Sequence, residues 1–177
     1  HVVGVFVQTN FGVRRELTIA EVPVGAALLD DDPISEHFST PPGAGSVIAV
    51  VATDAPLLPD QCDALARRVT LGLARTGTAG SHFSGDLFIA LSVGNPGAFS
   101  RGADTLFGKG YGSYDDVRFV PWGHLDPYFD AVVQATEEAV LNSLVANEEM
   151  IGFRGHRSPA LPRDRVVELL RDRGRVR

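Results

Sequence analysis

"PPGAGSVIAVVATDAP", residues 41–56, is the stretch on which the reading of the whole chain turns. A Pro/Gly-rich linker stops at Gly45, a serine follows, and an apolar run begins at once. "SVIAVVAT" is rich in β-branched and small apolar residues without a polar break, the pattern of a buried strand. Ser46 therefore stands at the head of a strand, and two readings of it are open. It is a polar strand-start residue, as Gly-Ser is at many loop ends, or it is a nucleophile held at the end of a rigid element. A serine hydroxyl attacks poorly until a base takes its proton. A cut just before Ser46 would supply that base, because the freed α-amine has an ordinary pKa of about 8. Gly45 has no side chain to hinder attack on its own carbonyl.

Working outward, residues 30–45 ("DDDPISEHFSTPPGAG") are acidic, Pro/Gly-rich and without period, which predicts a mobile linker open to proteolysis. Upstream, "HVVGVFVQT" reads as a strand covered on both faces, closed by the turn residues "NFG". "ELTIAEVPVG" alternates well enough to predict a second strand. Downstream of the third strand, "PDQCDALARRVTLGLAR" (59–75) places Cys62, Leu65, Ala66, Val69 and Leu73 at helical spacing, with Pro59 in the first turn. "GDLFIALSV" predicts a fourth strand, and residues 94–123 are Gly-rich and irregular. Asp126 and Pro127 suit the N-cap and first position of a long helix to about residue 150. Its inward face would carry Phe129, Val132, Val133, Thr136, Val140 and Leu144. A last helix over 163–173 stops at Gly174. Strands and helices are interspersed without an internal repeat, so one α/β domain with sheets covered by helices is expected.

Composition narrows the function classes. The 177 residues are enough for one sizeable core, and 44% hydrophobic with 21% charged residues fits a folded protein. A formal net charge of -6 argues against tracking a nucleic-acid backbone. The basic tail "RDRVVELLRDRGRVR" is interleaved with acids and reads as a solvated helix end. No run approaches the roughly 18 apolar residues of a membrane-spanning helix. The single cysteine, Cys62, excludes an internal disulfide and leans the expectation to the cytoplasm. "HVVGVFVQTNFG" lacks a basic leader region and reads as a strand entered part-way, so further chain is expected upstream.

Several constellations could carry chemistry. In "SHFSGDLF" (81–88), Ser84 and Asp86 lie two apart and share a face if the segment is extended. Such a pair could orient a nucleophile's amine or relay its proton; it could equally be a turn. His82 invites a Ser-His-Asp triad, but no serine carries the G-x-S-x-G elbow spacing. Asn10, at a strand end, could donate its amide to an oxyanion, or be a plain turn residue. "GKGYG" (108–112) lacks the order of a phosphate loop. His1, His37, His82, His124 and His156 have no metal-ligand spacing. No metal or other cofactor is expected.

Taken together, "VGVFVQTNFG", "GAGSVIAVVATDAPLLPDQ", "LARRVTLGLARTG", "SGDLFIALS", "ATEEAVLNSLVANEEMIG" and "GHRSPALP" resemble the C-terminal half of the DmpA-type L-aminopeptidase/D-esterase/amidases and β-aminopeptidases. The likeness covers nearly the whole chain in order. It implies a four-layer α/β/β/α sandwich and a precursor that cuts itself at Gly45–Ser46. Residues 1–45 would then be the end of an α chain and 46–177 a β chain opening on its nucleophile, together one domain with an upstream segment missing. By motif, Ser46 would be the nucleophile activated by its own α-amine, Asn10 an oxyanion donor, and Ser84 with Asp86 the groups that hydrogen-bond around it. The resemblance implies acyl transfer from peptides, amides or esters with a free amine, in a homo-oligomer of αβ units, with an upstream α-chain segment as partner. The alternative is an endo-acting amidase or an acyltransferase on the same scaffold, whose relatives typically use threonine.

Overall fold

The computed structural model describes residues 1–31, 45–98 and 114–176. Three strands, β1 (Val3–Asn10), β2 (Ser46–Thr53) and β3 (Leu87–Ser92), form a sheet in the order β1-β2-β3. β1 runs antiparallel to β2 and β3 parallel to it. β2 begins at Ser46, where the apolar run begins.

Three helices lie over one face of this sheet. α1 (Pro59–Ala66) packs on β3, α3 (Asp126–Ala146) packs across β1, and α2 (Val69–Arg75) packs on α3. Between them lies the main core, where Val47, Ala49 and Val51 of β2 meet Leu65, Val69, Val132 and Val140. Burying each such aliphatic side chain contributes about 1.5–3 kcal/mol. At Gly72 the helices approach so closely that a Cβ would stand 2.6 Å from both the Thr136 Cβ and the Val133 carbonyl oxygen. The expected inward face of α3 is borne out: Val132, Val133, Thr136 and Val140 are buried, with Phe129 and Leu144 partly so.

The other sheet face is bare among the described residues. Phe6 is 66% exposed and Ile89 51%, with Ile48, Leu87 and Leu91 beside them. Burial therefore alternates along β1, and the expectation of a strand covered on both faces is corrected for this chain. The chain's own residues supply one sheet and one helical layer of an α/β sandwich.

Three further expectations are revised. "ELTIAEVPVG" is not a strand; it holds one isolated bridge, Ile19 to Val22, between short 3-10 turns. Ala20 and Glu21 both have positive φ (48° and 65°), a tight two-residue turn, and Pro23 has no N–H with which to extend a ladder. Its alternating apolar residues pack instead on α4 (Arg163–Asp172), forming a second core of Val22, Val24, Leu28, Val166 and Leu170. The helix expected over 59–75 is broken at Arg67 and Arg68. The Arg68 N–H bonds the Leu65 carbonyl at 2.9 Å, a tightened turn that lets α1 follow β3 and α2 follow α3. Finally, α3 ends at Ala146 rather than near 150. Met150–Ile151 (β4) pairs with Arg157–Ser158 (β5) in a small hairpin. α3 also starts one residue early, with Leu125 as N-cap and Pro127 in second place. α4 closes as expected at Gly174, whose φ is +66°. Two of the basic residues of the tail, Arg165 and Arg175, pair with Asp30 and Glu21 of the N-terminal segment.

Candidate active site

The antiparallel register of β1 and β2 sets Asn10 directly opposite Ser46 at one end of the sheet. Alternation along both strands then puts these two side chains on the bare face, with Gln8, Phe6 and Ile48, and leaves Thr9 and Val47 on the helix side. Gly45 presses on the end of β1. A Cβ at that position would stand 2.1 Å from the Asn10 carbonyl oxygen and 3.2 Å from Phe11 Cα. A bare α-carbon is what permits the junction to run this close.

The turn into β3 completes the cluster. Gly85 N–H donates to Ser46 Oγ at 3.0 Å, so the hydroxyl oxygen faces a backbone donor. Ser84 O–H donates to Asp86 Oδ1 at 2.5 Å, and the same oxygen accepts the Val47 N–H at 2.8 Å. A carboxylate holding two donors is a charge-assisted arrangement, shorter and stronger than a neutral pair. Asn10 makes no side-chain hydrogen bond among the described residues, which leaves its amide available as a donor. A cleft of ≈ 260 Å³ opens beside Gly45, Ser84 and Asp86, walled by Phe11 to Val13 after β1 and by Gly80 to His82.

All five positions singled out in the sequence thus come together: Asn10, Gly45, Ser46, Ser84 and Asp86. His82 also lines the cleft, but its ring lies against Phe83 at 3.9 Å between centroids, with no bond to Ser46 or Asp86. His82 forms no Ser-His-Asp triad with Ser46 and Asp86. His1 and His124 lie elsewhere, His1 pairing with Asp54 at 3.3 Å. "GKGYG", His37 and most of the 30–45 linker fall outside the described residues. Cys62 stands away from the cluster on α1, its thiol pushed up by burial. Among the described residues no three His, Cys, Asp or Glu side chains form a metal-ligand group, and no helix is long and apolar enough to cross a membrane.

The backbone N–H of Gly85 and that of Val47 were not foreseen. Backbone donors leave no mark in composition, and a Cβ on Gly85 would make only an ordinary 3.6 Å contact with Ser46 Oγ, so glycine is not sterically required there.

Ser46 thus stands at a strand head with one backbone donor on its hydroxyl and a Ser-Asp pair beside it, and among the described residues no histidine bonds it. Comparison with known proteins supplies the class. The chain belongs to peptidase family S58, matched over residues 1–158. It is 37% identical to the β-peptidyl aminopeptidase BapA of Sphingosinicella microcystinivorans, over 97% of this chain and 43% of that protein. Its fold matches the L-aminopeptidase D-Ala-esterase/amidase of Ochrobactrum anthropi, described as a variant of the Ntn hydrolase fold, with TM-score 0.83 and 38% identity. That match covers 99% of this chain and 44% of the other. The β-aminopeptidase of a Burkholderia species matches with TM-score 0.80 and 37% identity, over 96% of this chain and 44% of its own. The chain thus spans less than half the length of these relatives.

Proposed function

We propose that the whole protein is a self-processing N-terminal-nucleophile aminopeptidase or amidase, with Ser46 as nucleophile. The observation that carries this reading is the position of Ser46: first residue of β2, opposite Asn10, with Gly85 N–H on its Oγ at 3.0 Å.

In the first stage Ser46 Oγ adds to the Gly45 carbonyl carbon, its proton passes to the Ser46 nitrogen, and the Gly45–Ser46 C–N bond breaks. The acyl group moves from nitrogen to oxygen, and water hydrolyses the resulting ester. Gly45 keeps the new carboxylate and Ser46 gains a free α-amine. In the second stage that amine takes the Oγ proton as Oγ attacks the substrate carbonyl. The Asn10 amide faces the negative charge that develops on the carbonyl oxygen, where a fixed donor stabilises a transition state most, while Gly85 N–H holds Oγ in place. The proton passes to the leaving amine, and water then releases the acyl group. Asp86, already accepting from Ser84 and Val47, holds the amine's surroundings in place.

Substrates are peptides, amides or esters with a free N-terminal amine. The partner is an upstream segment that covers the bare sheet face: Phe6, Ile48, Leu87, Ile89 and Leu91 make an apolar surface of the kind a second sheet packs on. Residues 1–45 are then the end of the upstream chain and 46–177 the chain that opens on the nucleophile. The test is hydrolysis of amino-acyl p-nitroanilides by the full-length protein, which Ser46→Ala abolishes. Unchanged hydrolysis in Ser46→Ala overturns the reading.

A further inference from the structure

Asn10 and Ser46 face the bare side of the sheet, so what fixes them lies one residue away on the helix side. On β2 that residue is Val47, whose N–H is held by Asp86 at 2.8 Å. On β1 it is Thr9, paired with Val47 in the register. The Thr9 and Ser143 hydroxyl oxygens lie 3.1 Å apart across the β1–α3 interface. Ser143 O–H donates to the Val140 carbonyl at 2.7 Å, so its oxygen accepts and Thr9 O–H donates. Both side chains are partly buried, where a hydroxyl pair holds its geometry better than in water.

We propose that Ser143 and Thr9 are positioning residues for the reaction. The chain Thr9 O–H to Ser143 Oγ to Val140 carbonyl pins the last turn of α3 to the end of β1, and so fixes the strand end that carries the Asn10 amide. Each arm of the site is then tied, β1 from the helix side and β2 from the head of β3. β2 is held through Val47 by Asp86, and β1 through Thr9 by Ser143. The stretch "ATEEAVLNSLVANEEM" gains a role through its serine, which lies on a core-packed helix and cannot touch substrate. The bond acts mainly on rate, since a donor displaced by about 1 Å can cost on the order of 10²-fold.

This inference rests on the proposed role of Asn10, and its test separates the two. Thr9→Val keeps the shape and removes the hydroxyl; Ser143→Ala removes the acceptor. In the full-length enzyme either change lowers kcat by about 3- to 30-fold and leaves KM within about twofold, for a bond worth what its geometry implies. The double variant is no slower than the slower single one, because both remove one bond. Thr9→Ser, which keeps the hydroxyl, recovers most of the rate. Hydrogen-exchange mass spectrometry adds a readout independent of turnover, with faster exchange expected over residues 8–11 in Thr9→Val and not in Thr9→Ser. Additive losses, an unchanged kcat, or unchanged exchange at residues 8–11 overturns the positioning role. If wild-type hydrolysis does not depend on Ser46, the function reading fails, and the exchange experiment still decides whether the bond fixes the strand end.

Discussion

Asp86 Oδ1 accepts the Val47 N–H at 2.8 Å and the Ser84 hydroxyl at 2.5 Å, so one carboxylate oxygen grips the residue next to Ser46 and a neighbouring hydroxyl together. The grip depends on charge as well as shape. Asp86→Asn keeps an oxygen that can accept both donors but loses the charge that strengthens both bonds. We expect it to fold and to lose about 10²-fold in kcat, the scale of a slight misplacement of the reacting groups it holds. Steady-state kinetics on the full-length enzyme checks this. A variant within threefold of wild type would remove Asp86 from the account.

Gly45 lies against backbone, with the added Cβ only 2.1 Å from the Asn10 oxygen. Neither partner is a side chain that can swing away. Gly45→Ala must therefore displace the junction from β1, and self-cleavage slows by about an order of magnitude or more, given the sensitivity of attack to sub-ångström placement. The time course of fragment appearance on a denaturing gel measures it. Cleavage at the wild-type rate would show that the close approach has no part in processing.

The α2–α3 crossing offers a stability test remote from the chemistry. Gly72→Ala puts a methyl 2.6 Å from the Thr136 Cβ and the Val133 carbonyl oxygen. Overpacking of this kind costs about 1–3 kcal/mol. Denaturant unfolding of the full-length protein should show that loss, with hydrolysis per folded molecule little changed.

Acid should loosen the contact between α4 and the start of the linker at Asp30. Arg165 bonds both oxygens of Asp30, at 2.7 and 2.9 Å, and holds its carboxyl below the ordinary value of 3.8. A carboxyl depressed in the folded state stabilises it above the unfolded pKa, and that contribution disappears as pH falls through the folded pKa. The Tm difference between wild type and Asp30→Asn should be present at pH 6 and shrink below about pH 4. A difference that persists unchanged at pH 3 would contradict this.

Much of the fold was legible because its strongest signals are local. The apolar run from Ser46 marks β2 to the residue, "LFIALS" marks β3, and the spacing of Val132, Thr136 and Val140 marks the inward face of α3. The strand read into "ELTIAEVPVG" failed because Ile19, Val22 and Val24 alternate toward α4 and not toward a sheet, a partner more than a hundred residues away. The break at Arg67 and Arg68 is likewise imposed from outside. α1 and α2 serve different neighbours, and the Arg68 guanidinium sits 4.0 Å over the Phe129 ring. In the site, Ser46, Ser84, Asp86, Asn10 and Gly45 were visible as residue types in a recurrent order. Gly85 and Val47 contribute only backbone, and Thr9 and Ser143 meet across 134 positions of sequence. No local pattern announces such contacts.

The central claim is that the bond before Ser46 is cut by Ser46 itself. Intact-mass analysis of the purified full-length protein, with N-terminal sequencing of its pieces, tests it most directly. The account predicts a fragment opening on "SVIAVVAT" in the wild type and an uncut chain in Ser46→Ala. An uncut wild-type chain that still hydrolyses amino-acyl p-nitroanilides, or a Ser46→Ala chain cut at the same place, would contradict it.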